Sequence, residues 1–367
     1  MKIITVLGAR PQFIKAAIVS KKIVEKAYEI KINTGQHYDY NMSGSFIDDL
    51  GYISPKYNLS VGSGTHGEQT AKMLLGIEPI LILEKPNYVI VYGDTNSTLA
   101  GALAASKLNI PVIHIEAGLR SYNSKMPEER NRVLTDHMSE ILFCPSKVAH
   151  DNLLKEGISK NVYIVGDIMY DSILNNINIS KKYYDDTSWM VEHNLMSVFN
   201  ANTIHNNFYL ATIHRAENTD NINSIRIILD ALNKLEKSVI FPVHPRTRKM
   251  IKDLSVEYPN IHLIEPINYH LMLHLIENAY MVVTDSGGVQ KEAYLLKTPC
   301  TTIREQTEWV ETLEYGWNIL SSLDSSEIVQ KSMRFFDKKN TPHPEYYGNG
   351  DAVNKIVEII SEREKNE

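Results

Sequence analysis

Residues Val283 to Ala293 read V-T-D-S-G-G-V-Q-K-E-A. The apolar run 279–283 breaks at Asp285-Ser286-Gly287-Gly288, and a helical pattern starts at Val289. A strand, a glycine turn and a helix in that order present backbone N–H groups at a helix N-terminus, where the macrodipole favours an anion. Ser286 can add a hydroxyl donor or cap the helix. Glu292, one turn in, can accept hydrogen bonds from ribose hydroxyls. The same residues also describe an ordinary strand-to-helix turn with a serine cap, so the rest of the chain must decide.

Other strand ends carry reactive residues. Gly8-Ala9-Arg10-Pro11-Gln12-Phe13-Ile14-Lys15 follows the first apolar run. Arg10 and Lys15 put positive charge at a helix start, which is unfavourable unless an anion such as a phosphate sits there. The spacing is neither G-x-G-x-x-G nor a P-loop. Asp94, in Gly93-Asp94-Thr95-Asn96-Ser97, stands where a buried run gives way to a helix, as a reactive carboxylate or as a helix cap. Glu116 ends another apolar run, ahead of a glycine turn. Glu128 opens a helix behind Pro127, where acidic residues are favoured in any case. Three carboxylates placed together can be driven to different proton affinities, which suits one acid and one base. In the second half, His214-Arg215 and His244-Pro245-Arg246 each follow an apolar run. Histidine plus arginine at two strand ends suits a diphosphate, and His214 could also donate a proton to it. His37, His66, His114 and His137 lack metal-ligand spacing, so no metal is expected.

Alternating strands and helices must position these groups. Strands are predicted at 3–7, 29–33, 88–92, 112–115, 141–144 and 162–165, then at 209–213, 239–243, 261–264, 281–284 and 299–302. Helices are predicted at 97–108, 127–139, 169–174, 223–237 and 289–296, with an amphipathic one at 351–367. Continuous apolar strands between helices indicate parallel, doubly wound α/β sheets covered on both faces. The polar stretch 177–207 shows no strand signal and reads as part linker, part irregular helix. Two halves follow: residues 1–168 with 350–367, and residues 169–349. Ligands of such sheets bind beyond the carboxyl ends of the strands, so the expected site is the cleft between two domains.

Composition narrows the function. The 367 residues suit two domains. A formal net charge of −6 argues against a nucleic-acid partner, which needs a basic face. No run reaches the roughly 18 apolar residues of a membrane span. Cys144 and Cys300, both in apolar strand-like contexts, read as buried thiols in a reducing compartment, so a cytoplasmic protein is expected.

Taken together, G-A-R-P-Q-F-I-K (8–15), G-D-T-N-S (93–97), H-I-E-A-G-L-R (114–120), P-E-E-R-N-R (127–132), T-I-H-R-A-E-N (212–218), H-P-R (244–246) and D-S-G-G-V-Q-K-E (285–292) resemble the non-hydrolysing UDP-N-acetylglucosamine 2-epimerase family. The pieces keep the family's order over nearly the whole chain. The resemblance implies two Rossmann-like domains, as in GT-B glycosyltransferases, with the C-terminal helix crossing back onto the first. It implies inversion at C2 of a UDP-N-acetylhexosamine by elimination of UDP to a glycal and re-addition. By motif, Asp94, Glu116 and Glu128 match the acid/base carboxylates, without telling which is base. His214 matches the histidine that assists the leaving diphosphate. Arg10, Lys15, Arg132, Ser286, Gly287, Gly288 and Glu292 match substrate contacts. With them the resemblance implies substrate-binding roles for Arg215, His244, Arg246 and Met272, the last standing where an aromatic often flanks the uracil. It implies a homodimer, and it adds no cofactor.

Two departures resemble the branch acting on UDP-2,3-diacetamido-2,3-dideoxy-glucuronate. A-R-P-Q-F stands in the first loop where T-R-P-E-x is common, and Thr307-Glu308-Trp309-Val310-Glu311 stands where T-x-R-P-E is usual. On this reading the choice of sugar rests near Gln12 and residues 307–310. Gly35-Gln36-His37 and Gln69 match a segment through which some members bind a second substrate molecule, whereas Asp39 departs from it. A UDP-sugar glycosyltransferase of the same fold, a hydrolysing 2-epimerase and a non-catalytic nucleotide-sugar sensor are the rival readings.

Overall fold

Short β-branched runs end in glycine or Asx turns and pass into helices throughout, so nearly every strand finds its partner in parallel. The computed structural model describes residues 1–36, 54–184, 187–199, 204–243, 245–254 and 256–364. The chain divides into two compact units, Met1–Ser172 with Glu345–Glu367, and Ile173–Pro344.

In the first unit the described elements are β1 (Lys2–Leu7), α1 (Arg10–Ile23), β2 (Tyr28–Asn33), β3 (Tyr57–Asn58), α2 (His66–Glu84), β4 (Tyr88–Tyr92), α3 (Asn96–Lys107), β5 (Val112–Ile115), α4 (Pro127–Met138), β6 (Ile141–Cys144), α5 (Lys147–Lys155) and β7 (Val162–Ile164). The seven-stranded sheet runs β3-β2-β1-β4-β5-β6-β7. All its pairings are parallel, with Ile3 opposite Tyr88 and Tyr92 opposite Ile115. The strand order reverses between β1 and β4, where such sheets bind their ligands. Helix α6 (Ile168–Tyr184) leads into the second unit.

The second unit continues with α7 (Ser188–Glu192), β8 (Tyr209–Thr212), α8 (Ala216–Thr219), α9 (Ile222–Leu232), β9 (Val239–Pro242), α10 (Pro245–Asp253), β10 (Ile261–Ile264), α11 (Tyr269–Asn278), β11 (Met281–Thr284), α12 (Gly287–Leu295), β12 (Cys300–Ile303), a 3-10 segment at Val310–Gly316, β13 (Asn318–Ser321) and α13 (Ser325–Ser332). Its six-stranded parallel sheet runs β10-β9-β8-β11-β12-β13, with the reversal between β8 and β11. Alternate side chains feed opposite faces. Tyr209, Ala211, Met281 and Val283 join one apolar cluster, and Leu210 and Val282 join the other. Helix α14 (Ala352–Glu364) belongs to the first unit, where Asp171 accepts from the Ala352 and Val353 N–H groups at 3.3 and 3.0 Å. That carboxylate satisfies two of the four donors every helix leaves unpaired at its start.

Several elements differ from the sequence expectation. Helix α6 runs unbroken to Tyr184, into the stretch expected to be irregular. Its inward positions include Asn176 and Ser180, buried by hydrogen bonds to His270 of α11 at 3.1 and 2.7 Å, so the buried face is polar and hides the helical period. Helix α9 stops at Leu232, short of Lys237. Helix α12 starts at Gly287, two residues before the apolar pattern. Strands β3 and β13 were not foreseen, nor was α2, which holds Pro79 and two glycines. Both cysteines are free and buried. No helix among the described residues is long and apolar enough to cross a membrane.

Candidate active site

Four residues expected at the first unit's site pair off as two ion pairs. Glu116 follows β5 with a φ of 73°, a conformation that costs a residue with a side chain. Its backbone N–H donates to Phe143 O of β6 at 3.1 Å. This geometry turns the carboxylate towards β1 and β4. Lys15, one turn into α1, donates to Glu116 Oε2. Both side chains are close to nine-tenths buried. A methyl placed on Gly93, after β4, would stand 3.2 Å from Glu116 Oε2, so the carboxylate lies against the Gly93-Asp94 turn. Asp94 accepts from Arg132 Nη2 of α4. Arg132 is 2% exposed, and its Nη1 lies 3.3 Å from Glu129 Oε2.

The capping alternative for Asp94 fails, because Thr95 caps α3 and its hydroxyl accepts from Thr98 N. Glu129 has a structural task, accepting from Ser121 N, Ser121 Oγ and Tyr122 N at 2.8–2.9 Å. Glu128, half-buried, precedes Asn131 and Arg132 by three and four residues, so all three share one helix face. Asn131 Nδ2 donates to Asp94 O at 2.9 Å, which turns that face to the Asp94 loop.

Two supports were not read from the sequence. Gln12 is buried, and its amide joins the loops after β1 and β4. Its Oε1 accepts from Gly8 and Ala9 N–H at 2.8 and 3.1 Å, and its Nε2 donates to Tyr92 O at 2.8 Å and Thr98 Oγ1 at 2.9 Å. Gln12 thus holds the loops after β1 and β4 together. Below Glu116, His114 donates from Nε2 to Gly93 O at 2.7 Å and meets Asp136 Oδ1 through Nδ1 at 2.7 Å. Arg120 bridges Asp136 and Glu156 at 2.7 Å each. Gly118, with a φ of 81°, admits no side chain, since a methyl there would meet Ala149 O at 2.2 Å.

In the second unit the expected nucleotide residues gather at the β8/β11 switch point. Ser286 caps α12, its hydroxyl accepting from Val289 N at 3.3 Å. Gly287 is half-buried and Gly288 exposed, so the N-terminal N–H groups of α12 are open to an anion. Glu292 is buried one turn on. His214 and Arg215 follow β8, the histidine exposed and the arginine half-buried. Their shared anchor is Asp285, fully buried, which sequence reading treated only as part of a turn. It accepts from His214 N at 3.1 Å, Arg215 N at 3.0 Å and Asn218 Nδ2 at 2.9 Å. A carboxylate directly before Ser-Gly-Gly, opposite a His-Arg turn, was the available signal.

Met272 of α11 is half-buried and packs against the apolar cluster under β8 and β11. Trp309 is also buried, with Lys291 Nζ 3.8 Å from its ring centroid. The Thr307 hydroxyl ties this loop to α12 by donating to Gln290 Oε1 at 2.7 Å. His244 lies outside the described residues, as do the side chains of Arg10 and Arg246. Among the described residues, no cluster of His, Cys, Asp and Glu has the arrangement to hold a metal ion.

The family model described as UDP-N-acetylglucosamine 2-epimerase matches residues 22–361. The chain belongs to that family. As a family member it is 49% identical over 365 residues to a UDP-N-acetylglucosamine 2-epimerase homolog of Methanococcus maripaludis, covering 98% of this chain and 99% of that one. It is 45% identical to the UDP-2,3-diacetamido-2,3-dideoxy-D-glucuronate 2-epimerase of Pseudomonas aeruginosa, with 98% and 99% covered. The crystal structure of the Methanocaldococcus jannaschii UDP-GlcNAc 2-epimerase, in complex with UDP-GlcNAc and UDP, superposes with a TM-score of 0.87 at 42% identity, over 99% of this chain and 100% of that one.

Proposed function

We propose that this epimerase-family chain inverts C2 of a UDP-2-acetamido sugar by eliminating and re-adding UDP. The observation that carries this reading is the twin ion pairing of Glu116 with Lys15 and of Asp94 with Arg132, side by side at one switch point. A cation against a carboxylate favours its ionised form. Glu116 and Asp94 therefore suit removal of the C2 proton. Glu128, which shows no ion pair among the described residues, suits delivery of a proton to the other face. As the proton leaves C2, the C1–O bond breaks and its electron pair goes to UDP, leaving a C1=C2 double bond. On return, C2 takes a proton from the opposite face and the diphosphate oxygen re-forms the bond to C1.

The second unit supplies the handle. The open N–H groups at Gly287 and Gly288 and the turn carrying His214 and Arg215 bind the diphosphate, and Glu292 binds the ribose. Retaining UDP separates this course from the hydrolysing one. The roles of Arg10, His244, Arg246 and Met272 in binding, a homodimer and a cytoplasmic site of action belong to the same reading, on the sequence and the family resemblance.

Proton NMR in D2O, with UDP-GlcNAc and the diacetamido-glucuronate nucleotide in parallel, tests it. Deuterium entering at C2 without free UDP accumulating is the expected result, and the faster substrate assigns the branch. No exchange with either nucleotide sinks the proposal. Free sugar plus UDP supports the hydrolysing rival, and transfer only with an acceptor supports the glycosyltransferase.

A further inference from the structure

Arg304 directly follows β12, the strand beside β11, at the end of the sheet where α12 begins. It is 8% exposed. Its Nη2 lies 3.1 Å from Glu308 Oε2, while its buried Nη1 has no hydrogen-bond partner among the described residues. A methyl placed on Gly287 would stand 3.5 Å from that Nη1 and 2.7 Å from Glu308 Oε1. The guanidinium and the carboxylate therefore both stand at the first residue of α12. A buried guanidinium with an unspent donor is costly, and a helix start favours negative charge. The Glu308 carboxylate offers that charge from within the chain.

We propose that Arg304 is a ligand of the diphosphate of the nucleotide sugar, and that Glu308 is an internal anion competing with the diphosphate for it. The proposal rests on the UDP-sugar reading above. A diphosphate offers several oxygens to the planar guanidinium fork and can engage both Nη atoms, where Glu308 engages one. The exchange turns the Glu308 side chain away from Arg304. Its backbone strap is held by Thr307, which donates to Gln290 Oε1 and accepts from Trp309 N at 3.1 Å.

Calorimetric titration with UDP tests the assignment on the wild-type chain and the variants Arg304→Met, Arg304→Lys and Glu308→Gln, with circular dichroism confirming that each folds. Arg304→Met is expected to weaken UDP binding by about ten-fold or more, and Arg304→Lys, which keeps the charge without the fork, by less. Glu308→Gln removes the competitor and is expected to tighten UDP binding roughly three-fold. Opposite signs from the two halves of one ion pair are the signature. A purely structural pair would lower stability from either side and never improve UDP binding. Wild-type binding of UDP with Arg304→Met unchanged, or with Glu308→Gln weakened, overturns the assignment alone. A wild-type chain that does not bind UDP overturns the nucleotide reading and this assignment with it.

Discussion

The Lys15 ammonium and the Glu116 carboxylate form a buried ion pair across the ends of β1 and β5. Sequence reading assigned Lys15 to a phosphate, because a cation near a helix start needs an anion. The structure supplies an anion from the protein itself. Lys15 thereby becomes the group that holds Glu116 in place. The role proposed for it moves from substrate contact to positioning.

Lys15→Met should therefore act through Glu116. Burial without a cation raises the proton affinity of a carboxyl group. The acidic limb of the kcat/KM profile is expected to move to higher pH, and kcat at neutral pH to fall by about 10²-fold or more. UDP affinity should change little. A variant that loses UDP affinity while keeping its pH profile returns Lys15 to the phosphate.

Asp285 and the His214-Arg215 turn make the next test. Asp285→Asn keeps the shape but turns an NH2 group towards N–H donors that the carboxylate now accepts. Hydrogen bonds to a charged group contribute about 1.5–3 kcal/mol. KM for the UDP-sugar and Kd for UDP should rise about ten-fold or more, with a smaller effect on kcat. Unchanged UDP binding by titration would show that the turn's position does not matter to the nucleotide.

The His114–Asp136–Arg120 network makes a claim about acid stability. Burial alone would raise Asp136, but the facing His114 and Arg120 outweigh it and hold the carboxyl below its usual range. A carboxyl depressed in the folded state contributes stability that is present above its unfolded value, about 3.9, and is lost as pH falls through the lower folded value. Asp136→Asn removes that contribution and leaves the buried Arg120 guanidinium and the His114 ring without the carboxylate they face. It should cost about 3–5 kcal/mol at neutral pH. It should also flatten the fall in stability below roughly pH 4. Urea unfolding at several pH values measures both, and an Asn variant with the wild-type slope would contradict the network's role.

Much of this arrangement was legible in the sequence because strands and turns were punctuated by glycine. Gly8, Gly93, Gly118 and Gly287 mark four of the turns that carry the site, and all eleven predicted strands lie within one residue of observed ones. What escaped reading was hidden by polar residues doing interior work. Asn176 and Ser180 disguise the inward face of α6. Gln12 looks like a variable active-site position, and only the loop oxygens around it reveal a staple. Asp285 was invisible as an anchor because its three donors come from residues 214–218, about seventy positions away in sequence. Partners at that separation leave no local periodicity to read.

The backbone of Glu116 gives the last prediction. Its φ of 73° costs any residue with a Cβ about 1–2 kcal/mol, and glycine nearly nothing. Glu116→Ala and Glu116→Gly both delete the carboxylate and both leave Lys15 buried without it, so those losses are common to the pair. The difference between them isolates the backbone. Glu116→Gly should be more stable than Glu116→Ala by about 1 kcal/mol, although glycine is ordinarily the less stabilising residue because its unfolded chain is more flexible. Both should lose turnover by about 10²-fold or more, since neither carries the Glu116 carboxylate. Chemical unfolding of the two variants side by side decides it. An alanine variant as stable as the glycine one would show that no strain is stored at Glu116, and that the chain adopts this turn without cost.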